Sequence, residues 1–265
     1  ANNRMAAEAK GKYLLLLNND AALFPGALKT MLSEANRLDR PAILSLPQYN
    51  AASGELIDIG SLLDPFLNPV PNRDPGRGEV GMVMGACLWI PKTLWQELDG
   101  FPDWFGSIGE DLYLCCRARL LGYRVIALNT SGYRHRVGYS FGGGKVHQNR
   151  LVTSIKRRAL SERNKSYVMI LSYPALYLAL IFPLHITGLL FEGMILSLTK
   201  RNLLIWNEIY VPCLQALWQQ RNSLRDLRQA IQGKRRSTAR EFFSVFKWFP
   251  YKLRMLWKHG LPVVR

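Results

Sequence analysis

Paired cysteines, zinc-ligand spacings and low-complexity tracts are all missing from this chain of 265 residues. Cys87, Cys115, Cys116 and Cys213 include no CxxC pair and have no histidines at ligand spacing. That argues against a structural zinc site and a disulfide framework, and a reducing compartment is the simplest reading. The chain does not open on Met, and no basic segment followed by an apolar one marks a signal peptide, so the start at Ala1 reads as internal. Acidic residues are scarce in one half only. Residues 1–150 carry sixteen basic and fourteen acidic side chains, whereas residues 151–265 carry nineteen and five, so most of the formal charge of +16 lies in the second half. Two regions, 1–150 and 151–265, are therefore expected to have different jobs. With 48% apolar and 20% charged residues the chain can build a packed core, and general disorder is not expected.

The apolar run at 13–17 is too short for a buried helix and suits a buried parallel strand, with Asn18, Asn19 and Asp20 directly after it. Residues 1–11 before it read as a helix end closed by Gly11. Pro25 sits as a first-turn proline, Leu28, Met31, Leu32 and Ala35 recur at helical spacing, and 42–46 is another short strand. This order predicts an α/β fold with a mostly parallel sheet and flanking helices. Four prolines, Pro65, Pro69, Pro71 and Pro75, make 62–78 an irregular surface loop. An apolar strand over 80–90 and a short helix opened by Pro91 come next. Glu110 and Asp111 head a helix closed by Gly122, 124–128 is a strand, and 129–144 is loop-like and contains His135.

From Lys145 the character changes. Residues 156–165 form a basic helical stretch, and 166–191 hold no Asp, Glu, Lys or Arg. That length can cross a hydrocarbon core of roughly 30 Å. Pro174, Pro183 and His185 interrupt it, so a kinked or re-entrant pair in the interface is equally open, with a buried hairpin as the bland alternative. The tail interleaves aromatics from Phe242 to Trp257 with Lys247, Lys252, Arg254 and Lys258. A helical, membrane-associated C-terminal region facing anionic lipid fits this pattern better than a nucleic-acid groove, and no nucleic-acid partner is expected.

Three stretches hold residues that could carry chemistry. A polar triplet after a strand is commonly just a turn, yet Asp20 stands at the carboxyl end of a parallel strand, where open α/β sheets bind ligands, and could hold Mg²⁺ or Mn²⁺. Acidic residues in a first helical turn commonly serve as caps. Asp111, however, heads the row Leu114, Cys115, Ala118 and Leu121 and points inward, so partial desolvation would raise its pKa and suit it to accept a hydroxyl proton. A lone loop histidine is commonly solvated, but His135 falls on the same sheet edge and its imidazole suits a Mn²⁺-type ion.

The runs GKYLLLLNND at 11–20 and GACLWIPKTLWQELDGF at 85–101, the Glu110-Asp111 pair with Arg117 and GYRV at 122–125, and His135 with GYS at 138–140 together resemble family 2 glycosyltransferases. The resemblance covers roughly 1–172 and is most similar to the bacterial rhamnosyltransferase-like branch that builds cell-surface polysaccharide. It implies a GT-A fold, a nucleotide-diphosphate sugar donor, a divalent metal and inversion at the anomeric carbon. By position, Asn18, Asn19 and Asp20 match the donor-binding DxD-like motif with Asp20 as metal ligand, His135 matches a histidine completing the metal site, and Asp111 matches the catalytic base. Gly85 and Ala86 match the strand backing the acceptor, and Trp104 and Glu110 are further acceptor-side candidates. Asn18 departs from the usual carboxylate, and Tyr113 stands where many relatives have a third acid. The first strands of the family, which hold the nucleotide base, are expected to be missing, leaving an edge to be covered by further sequence or a neighbouring element. The implied setting is the cytoplasmic face of the bacterial inner membrane, with a glycan or lipid-linked acceptor. The rivals are a non-catalytic membrane-bound partner and a nucleotidyltransferase.

Overall fold

The computed structural model describes residues 1–136, 143–147 and 150–265; the GYS segment at 138–140 lies outside them. Helix α1 (Asn2–Glu8) leads into strand β1 (Tyr13–Leu17) and the short β2 (Ala21–Leu23). After α2 (Ala27–Arg37) come β3 (Ala42–Ser45), β4 (Gln48–Asn50), β5 (Leu56–Asp58), β6 (Ser61–Leu63) and β7 (Pro69–Pro71). Strand β8 (Cys87–Pro91), α3 (Lys92–Glu97), α4 (Glu110–Leu120), β9 (Arg124–Ala127) and β10 (Tyr133–His135) follow.

The main sheet has the order β1-β8-β3-β9. It is mixed, which corrects the expected mostly parallel sheet: β3 and β9 pair in parallel, while β8 runs antiparallel to both β1 and β3. Strands β1, β3 and β9 share one direction, so the sequence rhythm read those three correctly. A continuous apolar run looks the same in either direction once both faces are covered, so β8 could not be told apart. The strand expected over 80–90 is also shorter, because only 87–91 enters the sheet. Among the described residues no strand pairs with the outer side of β1, where Leu17 is exposed.

A second sheet, β2-β10-β4-β5, stands at the carboxyl end of β1 and β3. It places β10 inside the segment expected to be a loop. Three residues beside glycines carry no period, and β10 forms because β2 and β4 each offer it an edge.

The proline-rich segment is a second correction. Strands β6 and β7 form a hairpin, and Leu62, Leu63, Leu67, Asp64 and Asn68 are all buried. The Asp64 carboxylate accepts from the backbone N–H groups of Phe66 (2.9 Å), Asn68 (2.8 Å) and Tyr251 (2.7 Å). One buried acid thus satisfies the donors that would otherwise require solvent.

The C-terminal half continues with β11 (Gly143–His147) paired to β12 (Arg150–Thr153), then α5 (Ile155–Ser172) and α6 (Ala175–Thr199). Beyond a bend lie α7 (Leu203–Ile205), a π-helical turn at Trp206–Tyr210, α8 (Val211–Gln219), α9 (Arg221–Gly233), α10 (Ala239–Phe243), α11 (Tyr251–His259) and β13 (Val263–Val264). The uncharged run 166–191 is not one segment. Tyr173 and Pro174 break it, because a proline disfavours the helical conformation of the residue before it, whereas Pro183 and His185, expected to interrupt the run, lie inside the continuous α6, where the packing of one face holds the helix together. Its first part is core: Val168, Met169, Leu171 and Tyr173 are fully buried. Tail aromatics are split as well, since Phe242, Phe243 and Phe246 are buried beside Tyr173 while Trp248, Phe249 and Trp257 are exposed.

One hydrophobic cluster runs from Leu14 and Ile43 through Leu114 and Val168 to Phe246, so the core continues across residue 150. Arg119, itself buried, ties the halves by donating to Glu79 (2.8 Å) and to the Glu241 carbonyl (2.7 Å). Helix α6 packs so closely on the π-helical turn that a Cβ on Gly193 would stand 2.7 Å from the Tyr210 ring.

Candidate active site

The turn after β1 is held from below and beside. The Asn18 amide donates to the Ala86 carbonyl (3.2 Å), and the Ala21 amide donates back to the Asn18 carbonyl (3.0 Å). Asn18 and Asn19 are exposed on this turn, and Asp20 is half-buried. Antiparallel pairing of β2 with β10 sets Ala21 opposite His135. Asp20 Oδ1 then lies 3.2 Å from His135 Nε2, and the Arg136 amide donates to the Asp20 carbonyl (3.1 Å).

His135 is buried in a strand rather than solvated in a loop. Its Nδ1 is 3.4 Å from the Gln48 amide nitrogen, and Gln48 Oε1 accepts from the Tyr133 hydroxyl (2.7 Å). Gln48 and Tyr133 are both buried, so they fix the ring's plane. Two cis ligands on an octahedral ion at about 2.1 Å stand roughly 3 Å apart, close to the Asp20–His135 separation. The pair therefore fits a Mg²⁺- or Mn²⁺-type ion once Nε2 gives up any proton. Among the described residues no group of three or more His, Cys, Asp or Glu could cage an ion. The pair by itself offers two ligands, and an ion held there would take its remaining ligands from substrate oxygens and water.

Asp111 sits at the second residue of α4. Its Oδ2 accepts from the Gly85 amide (3.2 Å) and its Oδ1 from the Leu112 amide (2.8 Å). Desolvation raises its pKa, opposed by these amides and by the Arg157 charge. Gly85 and Ala86 are adjacent, so one dipeptide joins the Asp111 carboxylate to the Asn18 turn. A Cβ on Gly85 would meet only the Asp111 Cβ, at 3.9 Å, so the space beside the carboxylate is open. Burial and the neighbouring Asp111 push Glu110 up to about 7, and its Oε2 is buried without a hydrogen-bond partner. Helix α4 is buried on every side from Leu112 to Leu120, so the expected inward row does not single out one face. Arg117 is also buried there and pairs with Asp99 at 3.5 Å.

The approach to α4 is strained. Ile108 and Gly109 are consecutive left-handed residues, φ 68° and 92°, and a β-branched residue pays for that conformation. Asn164 of α5, fully buried, holds the turn by donating to the carbonyls of Phe105 (3.2 Å), Ser107 (3.0 Å) and Ile108 (2.6 Å). Trp104 lies on the same loop, 45% exposed, with its ring against Phe105 and Tyr167. Sequence reasoning missed Gln48, Tyr133, Arg157 and Asn164. Gln48 alone left a signal, as a polar residue soon after a strand end; the others act across long chain separations.

The glycosyl transferase family group 2 model matches residues 73–218, more than half of the chain. The chain belongs to this family. The matched stretch contains Gly85, Glu110, Asp111, His135 and Asn164 and begins beyond the Asn18 turn. Among solved structures, a crystal structure of GalNAc-T7 with UDP, GalNAc and Mn²⁺ is similar at 15% identity and a TM-score of 0.47, over 66% of this chain and 34% of that one. The chain thus spans about a third of that relative's length. No curated protein matches the chain.

Proposed function

We propose that this family member is an inverting GT-A-type glycosyltransferase that moves a sugar from a nucleotide-diphosphate sugar to an acceptor hydroxyl. The observation that carries the reading is the Gly85-Ala86 dipeptide, which hydrogen-bonds a desolvated carboxylate on one side and the Asp20-bearing turn on the other. Asp111 takes the proton of the acceptor hydroxyl as that oxygen attacks the anomeric carbon. The carbon–oxygen bond to the diphosphate breaks with its electron pair leaving on the diphosphate, so one displacement inverts the centre. Asp20 and His135 would hold the Mg²⁺ or Mn²⁺ ion, whose charge offsets that of the departing nucleoside diphosphate. Asn18 and Asn19 present exposed amides to the donor. Glu110, with its unpartnered oxygen, and Trp104, with its exposed ring, serve the acceptor sugar.

The acceptor is a cell-surface glycan carried on lipid, and the enzyme works at the cytoplasmic face of the bacterial inner membrane, as the rhamnosyltransferase-like motifs suggest. Helix α6 supports the membrane setting: it is long and apolar enough to cross a membrane, with a mean hydropathy of 1.8 in its most apolar window and only 22% of that window buried.

Asp111→Asn should lower transfer by about a thousandfold while donor affinity, read by calorimetry with Mn²⁺ and nucleotide-diphosphate sugars, stays near that of the parent. Asp20→Ala should show the reverse emphasis, with donor affinity lost first. Turnover of Asp111→Asn within about tenfold of the parent, an effect of only ~1.4 kcal/mol, would rule out the base assignment.

A further inference from the structure

A cleft of about 520 Å³ opens between the start of α6 and one side of α9, lined by Pro174, Ala175, Arg225, Arg228, Gln229, Gln232 and Arg235. Among the described residues none of these arginines has a carboxylate within ion-pair distance. Arg228 is half-buried and donates to the Ile170 carbonyl, the end of α5. Burial and the like charge of Arg235 hold its pKa below the usual arginine value, so the cleft keeps two cations together without an anion between them. The start of α6 adds to this field, because no side chain caps its N-terminal amides.

This cleft is separate from the candidate active site. It shares no lining residue with the surroundings of Asp20, His135 or Asp111, and its contact on α5, the Ile170 carbonyl, lies six residues beyond Asn164, about 9 Å along the helix. Beside the cleft the outer face of α6 begins, with Leu176 68% and Leu180 61% exposed.

From this arrangement we infer that the cleft binds the phosphate of an anionic membrane lipid, seating the headgroup on Arg225, Arg228 and Arg235 while the outer leucines of α6 enter the acyl region. Guanidinium groups fork onto phosphate oxygens in a way that an ammonium cannot. An apolar helix face starting directly beside the arginines sets them at headgroup depth. The inference rests on the membrane reading proposed above and is independent of the transfer chemistry.

The full chain is tested by flotation with vesicles of phosphatidylcholine alone or of phosphatidylcholine with phosphatidic acid. Arg225→Gln/Arg235→Gln should lose roughly thirtyfold in affinity for the phosphatidic acid vesicles and keep its binding to neutral ones. Lys29→Gln/Arg40→Gln removes the same charge from α2 and the turn after it, and should lose much less. Equal losses in the two variants, or unchanged binding in the first, would overturn the inference. So would inorganic pyrophosphate that binds the parent as tightly as the anionic vesicles do and fails to bind the first variant, since the occupant would then be a soluble phosphate. A parent chain that binds neither vesicle would sink the membrane reading itself, whereas the Asp111→Asn assay reports separately on transfer.

Discussion

Helices α5 and α6 divide one uncharged stretch and use it in opposite ways. In α5 the apolar residues point into protein, and three of its buried polar residues have partners there: Glu162 accepts from Lys252 (2.7 Å), Lys165 donates to Asn68 (2.6 Å), and Asn164 clamps the turn that leads to Asp111. In α6 only one row is covered, through Ile181, His185, Leu189, Gly193 and Leu196, while Leu176, Leu184, Phe191 and Leu198 face outward. The covered row also carries Glu192, which pairs with Arg158 and Lys252. A helix so fastened along one side presents one apolar face rather than a uniformly apolar cylinder. Composition is therefore a poor guide to environment: the same residue types form a core in one helix and an outward surface in the next.

Substitutions along this run can break the contrast. The largest effect should come from Val168→Asp, which places a carboxylate in fully buried α5 and should destabilise by about 4 kcal/mol or more, read as loss of cooperative thermal unfolding. Asn164→Leu should follow, at about 3 kcal/mol, since the Ser107 and Ile108 carbonyls lose their donor while Phe105 keeps only Arg163; transfer should fall further than stability because the Ile108 turn that aims Asp111 loosens. Retention of both would show that the strained turn holds itself.

A pH series sharpens the site side of the contrast. Glu110 and Asp58 are both pushed up to about 7 by burial, from ordinary values of 4.5 and 3.8. Each binds a proton in the folded chain at pH values where the unfolded chain has already released it. The contribution of these two groups to stability is thus greatest below their unfolded values and is lost as pH rises through about 7. Glu110→Gln should flatten that decline by on the order of 2 kcal/mol after allowance for partial exposure, seen as a smaller drop in Tm between acid and neutral pH. The smallest effect on folding should be that of Leu184→Asp on the outer face of α6, within about 0.5 kcal/mol. Its readout is membrane partition, which should fall clearly; a destabilisation as large as that of Val168→Asp would mean the outer face is covered by protein after all.

The candidate site was legible where local chemistry stands at the end of a strong apolar run. Asn18, Asn19 and Asp20 follow β1, and Asp111 opens α4, so a strand end and an acidic pair at a helix start were enough to mark them as candidates. His135 was legible only as a residue type, because its strand depends on edges supplied by β2 and β4. Arg157 and Asn164 left no trace, since a basic helical stretch reads the same whether its face meets solvent or the turn before Asp111.

Sequence alone determined the apolar runs, the polar ends beside them and the concentration of positive charge after residue 150, because propensity, periodicity and charge are properties of neighbours along the chain. Tertiary structure decided the reversed direction of β8, the burial of the proline-rich hairpin, the pairing of Asp20 with His135 and the division of the uncharged run at Pro174. Each of those depends on partners tens of residues away, and a hydrogen bond or a buried contact has no energy until both of its sides are present.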